Sequence, residues 1–193
     1  MKDIERRTTT VELRVENSEE KSSRIMGHAA LFNTLSEDLG GFREQIAPGA
    51  FTEAIMKDDV RALWNHNPDH VLGRNTSGTL VLSEDERGLA IEIIPPDTQF
   101  ARDLAVSIAR GDISQMSFAF SVKQDGQEWK KDDEGVTIRT LTGLRLYDVS
   151  PVTYPAYSQT DVAVRSMEKW QEENKPVAPD FTIRRRRIDL LEL

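Results

Sequence analysis

The chain has 193 residues, with 25 Lys and Arg, 33 Asp and Glu, 3 His, no Cys and a net charge of −8. A single domain of this length can bury a sufficient core, and the absence of cysteine excludes a disulfide scaffold, a thiolate metal site and a cysteine nucleophile. The acidic charge argues against nucleic-acid binding through a global positive field, and no apolar run approaches the ~18 residues of a membrane-spanning helix.

The first half of the chain is predicted to form short strands around one short helix. Val11, Leu13 and Val15 alternate with polar residues, which is typical of a strand with one buried face. Pro48 and Gly49 interrupt the chain just before the helix. In chain order, the predicted elements are a strand over 8–15, an apolar run at 25–32, a helix over 50–57, a strand over 60–66 that ends at a turn at 67–68, and a hairpin of 79–82 and 89–94.

The second half begins with the most regular helical pattern of the sequence. Phe100, Leu104 and Ile108 recur every four residues and Gly111 follows them, so a helix is predicted over 99–110. Many short strands with one or two helices predict an α+β domain built on an antiparallel sheet or barrel. The remaining predicted elements are a strand over 113–122, a polar hairpin loop over 124–135 and one or two strands over 136–152.

The composition of the chain changes at residue 166. Residues 166–193 contain six acids and six bases, so the whole charge of −8 belongs to residues 1–165. Four consecutive arginines, Arg184 to Arg187, form either a solvated basic end or a docking element. We therefore predict one domain over 1–165 and a C-terminal tail, a helix or linker with a basic end, over 166–193.

His66 is the most promising of the three histidines for imidazole chemistry. It is predicted at the end of a strand, on one face with Ala62 and Trp64, and directly before a turn. At such a position the strand fixes the backbone while the loop leaves access for a substrate, which favours catalysis. A surface or structural role is the alternative.

His28 and His70 fit surface or structural roles better than catalytic ones. A zinc site formed by His66 and His70, completed by Asp69 or His28, is a further alternative. Pro68 interrupts the helix that this spacing needs, and the motif lacks the glutamate of a helical zinc-protease site. The sequence therefore predicts no metal.

Ser117 lies in the strand predicted over 113–122. Alternation places Met116, Phe118 and Phe120 on the buried face of this strand, and Ser117 and Ala119 on the other. A small hydroxyl held by a rigid strand suits a nucleophile that has a base beside it. Serines are common in strands, so a purely structural Ser117 is the alternative.

Asp148 is an acid that lies among apolar strand residues. Alternation predicts that Leu146, Asp148 and Ser150 share one face of the strand, opposite Tyr147 and Val149. An acid in such surroundings needs a partner, and a histidine, an arginine or a turn amide can each serve. The sequence contains no nucleophile elbow, no phosphate-binding loop and no dinucleotide-binding fingerprint.

Six segments together carry the pattern of a known family. They are Gly27-x-Ala29 with Phe32-Asn33, EQIAPGAFTEAI (44–55), LWNHNPDHVLGR (63–74), Gly88-Leu89, RGDISQMSFAF (110–120) and LYDVSPVTYPAYSQTDV (146–162). In this order they resemble the prohead, or capsid-maturation, proteases of tailed bacteriophages, which are related in fold to the herpesvirus maturational protease, assemblin. The resemblance covers about residues 10–165.

The resemblance implies an α+β fold like that of the herpesvirus protease, with an antiparallel β-barrel-like core and a few helices. It also implies a serine endopeptidase in which Ser117 is the nucleophile, His66 the general base and Asp148 the third catalytic member. The third position is often Glu in the family and is a second His in assemblin, so His70 is the alternative third member. An arginine assists the oxyanion in assemblin, and Arg165 is its candidate counterpart.

The resemblance further implies a substrate and a location. The substrate is the scaffolding segment of the major capsid protein, inside a procapsid assembled in the bacterial host cytoplasm, and the protease also cleaves itself. Related enzymes can depend on dimerisation, so self-association is one expectation; no cofactor, membrane or direct nucleic-acid contact is expected. Two rival hypotheses remain: a catalytically inactive scaffold or capsid-assembly protein of the same fold, and an unrelated β-rich binding module whose three side chains lie more than about 10 Å apart.

Overall fold

The computed structural model describes residues 4–11, 13–17, 23–154 and 161–174. These residues form twelve strands, three α-helices and one 3-10 turn. None of the helices in this part of the chain has the length and apolar character of a membrane span. In chain order the elements are β1 (Glu5–Thr10), β2 (Arg14–Asn17), β3 (Ser23–Leu31), β4 (Arg43–Ile46), α1 (Thr52–Lys57), β5 (Arg61–Trp64), β6 (Asn67–Arg74), the 3-10 turn (Asn75–Ser77), β7 (Leu80–Glu84), β8 (Gly88–Ile93), α2 (Gln99–Ala109), β9 (Gln115–Val122), β10 (Gln127–Lys131), β11 (Thr137–Leu141), β12 (Leu144–Val152) and α3 (Asp161–Glu173).

The helices predicted over 50–57 and 99–110 are present as α1 and α2. In α2 the apolar positions at helical spacing point into the core, as the sequence pattern predicts. Gly111 follows the last turn with a φ of 82°, a left-handed conformation that ends the helix and that glycine adopts without a steric penalty. The buried residues of α2 are Ala101, Leu104 and Ile108.

Several strand predictions need correction. The predicted strand over 8–15 is two strands, because β1 pairs with β9 while β2 pairs with β3 in a different sheet. The predicted loop over 124–135 contains β10, in which Trp129 packs against Phe42 while its charged neighbours are exposed. β6 begins where a turn was expected, because it follows β5 through a tight hairpin. β4 has no counterpart among the predicted elements.

The strands of the described residues form three sheets. Sheet A has the order β1-β9-β12-β5-β6, sheet B the order β2-β3-β8-β7, and sheet C the order β10-β11-β4. The α+β class is confirmed, but the predicted antiparallel barrel-like core is wrong: no closed barrel occurs in this part of the chain, and β5 with β12 and β4 with β11 are parallel pairs. Parallel neighbours need long crossover connections, so the strands of these two pairs come from distant parts of the sequence. The likeness to the herpesvirus protease stays a prediction.

The main hydrophobic core is built from sheets A and B together with α1 and α2, and Ile46 and Leu141 of sheet C also enter it. Met116, Phe118 and Phe120 of β9 enter this core, where Phe118 meets Phe51 edge-on with ring centroids 5.6 Å apart. Each large apolar side chain buried in this way contributes about 1.5–3 kcal/mol to stability. Because side chains alternate along a strand, Ser117 lies on the opposite face of sheet A, which we call the outer face.

A second, smaller hydrophobic cluster holds α3. Leu39 and Phe42 pack there against Ala163 and Met167 of α3, and Trp129 of sheet C covers the cluster. The predicted division between residues 165 and 166 falls inside α3, and the assignment of the two domains stays a prediction. Residues 175–193, with their four consecutive arginines, lie outside the described residues.

Four buried charged side chains join β1 to sheet C. Arg7 bonds Glu5 at 2.7 Å and Glu44 at 2.8 Å, and Arg139 reaches both of these carboxylates at 2.9 Å. Two guanidinium groups and two carboxylates balance one another, which allows these charges to remain in the interior. The network therefore ties β1 to sheet C, and β1 in turn pairs with β9, the strand that carries Ser117.

Candidate active site

Three side chains predicted to act together meet on the outer face of sheet A. His66 Nε2 lies 2.7 Å from Ser117 Oγ, and His66 Nδ1 lies 2.5 Å from Asp148 Oδ1. The residues are 51 and 82 positions apart in sequence, so only the fold brings them together. The result is a continuous hydrogen-bonded chain of hydroxyl, imidazole and carboxylate.

Ser117 is held in the interior of sheet A. Its strand, β9, lies between β1 and β12, where Ser117 is opposite Thr8 on one side and Ser150 on the other. The predicted alternation is confirmed, since Met116 and Phe118 enter the core whereas Ser117 Oγ contacts His66 on the other face. The outer face is also covered at this point, because Ser117 is 0% exposed.

A β-bulge turns Asp148 toward Ser117. Leu146 is opposite Phe120 and Asp148 is opposite Ala119, so Tyr147 is an extra residue in β12. Leu146 therefore points into the core, whereas Asp148 lies on the outer face. The prediction that Leu146 and Asp148 share a face is wrong, because the bulge breaks the period of two.

His66 lies in the hairpin turn between β5 and β6. Trp64 pairs with Asn67, which leaves Asn65 and His66 as the two central residues, each with a φ of 55°. Positive φ at both positions is typical of the type I′ turn that joins tightly paired strands. The prediction that His66 continues the strand face of Ala62 and Trp64 is therefore wrong, and the turn instead brings the imidazole to Ser117 and Asp148.

The environment of the three residues excludes most water. The side chains of His66 and Asp148 are 8% and 12% exposed. Hydrogen bonds and charges act more strongly in such a low-dielectric site than in water. An imidazole placed between a hydroxyl and a carboxylate can take the hydroxyl proton while the carboxylate stabilises the resulting cation.

Ser150 is a member of this arrangement that sequence reasoning missed. Its hydroxyl donates a hydrogen bond of 2.8 Å to Asp148 Oδ1, and its side chain is fully buried. The signal in the sequence was the spacing of Asp148 and Ser150, because residues two apart in a strand share a face.

The other two histidines have different surroundings. His70 lies between Trp64 and Phe100, with ring centroids 5.7 and 5.0 Å away, and its Nδ1 contacts Asn67 at 3.3 Å. His28, in β3 of sheet B, bonds an exposed aspartate, Asp85, in the turn between β7 and β8 at 2.8 Å. Among the residues that the structure describes, no group of three or more His, Asp or Glu side chains could hold a metal ion.

Arg165, the candidate oxyanion residue, lies on α3. It is exposed and lines a surface depression together with Glu168, Lys169, Gln171 and Glu172. The described core contacts of α3 are with the second hydrophobic cluster. The assignment of Arg165 as an oxyanion donor therefore stays a prediction.

Comparison with known proteins identifies the family of this chain. Residues 9–175 match the family described as caudovirus prohead serine protease. The fold is similar to the solved structure of the bacteriophage T4 capsid assembly protease, with a TM-score of 0.53 and 10% sequence identity over 78% of this chain and 97% of that chain. At this identity the likeness concerns the fold alone, and no curated protein matches the sequence. The family match spans most of the sequence, and the chain therefore belongs to the caudovirus prohead serine protease family.

Proposed function

We propose that this chain is an active serine endopeptidase in which Ser117 is the nucleophile, His66 the general base and Asp148 the acid that orients the base. The observation that supports the proposal is the continuous hydrogen-bonded chain of these residues, with contacts of 2.7 and 2.5 Å. Distances of this size allow direct proton transfer between hydroxyl and imidazole.

The residue types define the order of proton transfers. His66 Nε2 takes the proton of Ser117 Oγ while the oxygen attacks a peptide carbonyl carbon, and a tetrahedral intermediate forms. The imidazolium then protonates the leaving amine, the peptide bond breaks and an acyl-enzyme remains. Water, activated by the same imidazole, hydrolyses the ester and restores Ser117. Asp148 stabilises the imidazolium in both halves of the reaction.

The burial of Ser117 adds a condition to this mechanism. A hydroxyl that is 0% exposed does not meet a peptide carbonyl until the groups that cover it move. We infer that the described conformation is a closed state and that substrate entry requires an opening of the outer face. A protease that is assembled together with its own substrate benefits from such a closed state, because it is not active before assembly is complete.

The proposed substrate is the scaffolding segment of the major capsid protein inside the procapsid, together with the protease itself. Membership of the prohead protease family supports this assignment. The structural neighbour in bacteriophage T4 is described as a capsid assembly protease. Self-association of the chain is part of the same proposal.

Co-expression with the cognate capsid precursor, followed by mass spectrometry of the products, tests the proposal. We expect discrete cleavage products with the native protease and none with Ser117→Ala or His66→Ala. Ser121→Ala is the matched control, because Ser121 lies on the same strand and its described side-chain hydrogen bond is to Tyr147 rather than to His66. Products that persist with Ser117→Ala and disappear with Ser121→Ala would show that the nucleophile is misassigned.

A catalytically inactive assembly protein of the same fold is the second candidate. The complete burial of Ser117 is the observation that favours it. The same experiment separates the two functions. An inactive assembly protein would support particle formation equally well with native Ser117 and with Ser117→Ala, and the capsid precursor would stay intact in both cases.

A further inference from the structure

Asn65, the neighbour of His66, binds the end of the strand that carries Asp148. Its backbone N–H donates to Pro151 O at 3.0 Å. Its side-chain Oδ1 accepts a hydrogen bond of 2.8 Å from the Thr153 N–H, and its Nδ2 donates to Thr153 Oγ1 at 3.2 Å. One residue of the hairpin turn thus makes three hydrogen bonds to a three-residue segment 86 to 88 positions later in the sequence.

These bonds extend the pairing of β5 with β12 beyond the end of β5. The two strands are parallel, with Arg61 opposite Asp148 and Ala62 opposite Val149. β5 ends at Trp64, and the Asn65 N–H continues the pairing by one bond, to Pro151 O, before the chain turns at His66. Beyond this bond, the side-chain amide of Asn65 supplies an acceptor and a donor to Thr153, as a peptide group would.

The bonds of Asn65 bear directly on the contact between His66 and Asp148. Asn65 is covalently joined to His66, and Thr153 lies five residues after Asp148 on the same stretch of chain. The contact of 2.5 Å between the imidazole and the carboxylate depends on the distance between the turn and β12. A shift of about 1 Å at such a site can reduce turnover by about a hundredfold.

Asparagine suits this position for two reasons at once. Its φ of 55° lies in the left-handed region, which Gly, Asn and Asp tolerate better than other residues. Glycine would accept the backbone conformation but would lack the amide that binds Thr153. Aspartate would accept the conformation and keep the acceptor for the Thr153 N–H.

We propose that Asn65 is a positioning residue that sets the His66–Asp148 contact by binding Pro151 and Thr153. The proposal rests on the proposed function, because it gives the contact a role in catalysis. The hydrogen-bonded state of His66 can nevertheless be measured without any turnover. Failure of this proposal is therefore distinguishable from failure of the proposed function.

The first test is NMR of the full-length protein labelled with ¹⁵N-histidine, which contains three histidines. We expect a downfield Nδ1–H resonance of His66 in the native protein and its loss in Asn65→Gly, with the signals of His28 and His70 unchanged. Asn65→Asp should retain the resonance. Asn33→Gly is the matched control, because Asn33 also has a left-handed φ, 52°, in the turn after β3, where its N–H bonds Ile46 O rather than β12. This variant should leave the His66 resonance unchanged.

The second test is kinetic and uses cleavage of the capsid precursor. We expect Asn65→Gly to lower kcat by about tenfold to a hundredfold with little change in KM, and Asn65→Asp to restore most of the activity. Thr153→Val removes only the Oγ1 partner and should cause a smaller loss of kcat. It therefore tests the bonds between Asn65 and Thr153 even where Asn65→Gly fails to fold. A native His66 resonance in Asn65→Gly, or an equal loss in Asn33→Gly, would overturn the proposal.

Discussion

Ser150 Oγ donates a hydrogen bond of 2.8 Å to Asp148 Oδ1, the same oxygen that lies 2.5 Å from His66 Nδ1. Both residues lie on the outer face of β12, and Ser150 is opposite Ser117 in the neighbouring strand. One carboxylate oxygen is therefore held from two sides. This arrangement restricts rotation of the carboxylate and keeps it directed at the imidazole.

We expect Ser150→Ala to lower kcat by about tenfold. A hydrogen bond to a charged group is worth about 1.5–3 kcal/mol, and each 1.4 kcal/mol of transition-state stabilisation is about tenfold in rate. Alanine is smaller than serine, so the substitution removes the donor without overpacking the buried site. Steady-state cleavage of the capsid precursor measures the effect, with Ser121→Ala as the control. Unchanged turnover of Ser150→Ala would show that Asp148 does not need its second donor.

Asp148→Asn should retain a small but measurable activity. The amide preserves the shape of the side chain, but it does not stabilise the imidazolium and favours the wrong histidine tautomer. In serine proteases this change lowers kcat by about 10⁴-fold, whereas loss of the nucleophile abolishes acylation. Long incubations followed by mass spectrometry would detect the remaining products. Activity near the native level would place the orienting acid elsewhere.

His70→Phe should leave cleavage intact. His70 packs between the rings of Trp64 and Phe100, and its Nδ1 contacts Asn67 at 3.3 Å rather than His66. Phenylalanine preserves this stack and removes both ring nitrogens. The same cleavage assay tests a catalytic role of His70, and a thermal melt tests its role in packing. An inactive but fully folded His70→Phe would make His70, rather than Asp148, the third catalytic member.

The sequence predicted those parts of the site that depend on regular periodicity. Met116, Phe118 and Phe120 enter the core and the pairing of β9 with β1 runs without a bulge, so the position of Ser117 on the outer face was predictable. The helix α2 follows from its four-residue repeat and Gly111 in the same way. Both patterns are local, and each residue in them adopts a backbone conformation that is ordinary for its type, including the left-handed Gly111.

Two features of the site lay beyond such patterns. The bulge at Tyr147 reverses the face of Asp148 relative to Leu146, so the alternation shifts by one residue within β12. The sequence does not reveal this shift, because unbroken alternation also gives an apolar face there, with Tyr147 and Val149. The left-handed turn that carries His66 requires positive φ at a histidine, which residue type alone does not reveal. The family resemblance named both residues because it does not depend on local conformation.

A fluorophosphonate probe should label Ser117 slowly in the isolated protein. Ser117 is fully buried, so the probe must wait for an opening of the outer face. We expect urea below the unfolding midpoint to accelerate labelling, because it favours local opening over the closed state. Ser117→Ala is the control for labelling at other serines. Rapid labelling that is insensitive to urea would contradict the closed state.

The free energy of unfolding should depend strongly on Arg139, because this residue neutralises the buried carboxylates at β1. Arg139→Met leaves Glu5 and Glu44 with Arg7 as their remaining cation in the network. Loss of one partner from a buried ion network costs about 3–5 kcal/mol of the free energy of unfolding. Urea denaturation at neutral pH measures this loss. Because β1 borders the strand of Ser117, labelling by the fluorophosphonate should become faster in the same variant.

The same network predicts how stability changes with pH. Burial alone would raise the pKa of Glu5, but the hydrogen bond and charge of Arg139, aided by Arg7, outweigh it and hold the pKa below the ordinary value of 4.5. A carboxyl whose pKa is lower in the folded protein stabilises the fold above its unfolded value, and this stability is lost as the pH falls through the lowered value. The free energy of unfolding should therefore decrease below pH 4.5.

Glu5→Gln should lower stability at neutral pH and flatten part of the acid slope, because glutamine binds no proton in this range. Glu53→Gln is the matched control. The Lys123 and Lys57 ammonium groups lower the pKa of Glu53 to about 2, but this carboxyl is exposed and water screens its ion pairs. Urea titrations between pH 3 and 7 measure both variants. Equal acid slopes in Glu5→Gln and the native protein would mean that the buried network does not control the acid stability. A slope that is flattened in Glu5→Gln and unchanged in Glu53→Gln would assign that control to the buried residues that join β1 to sheet C.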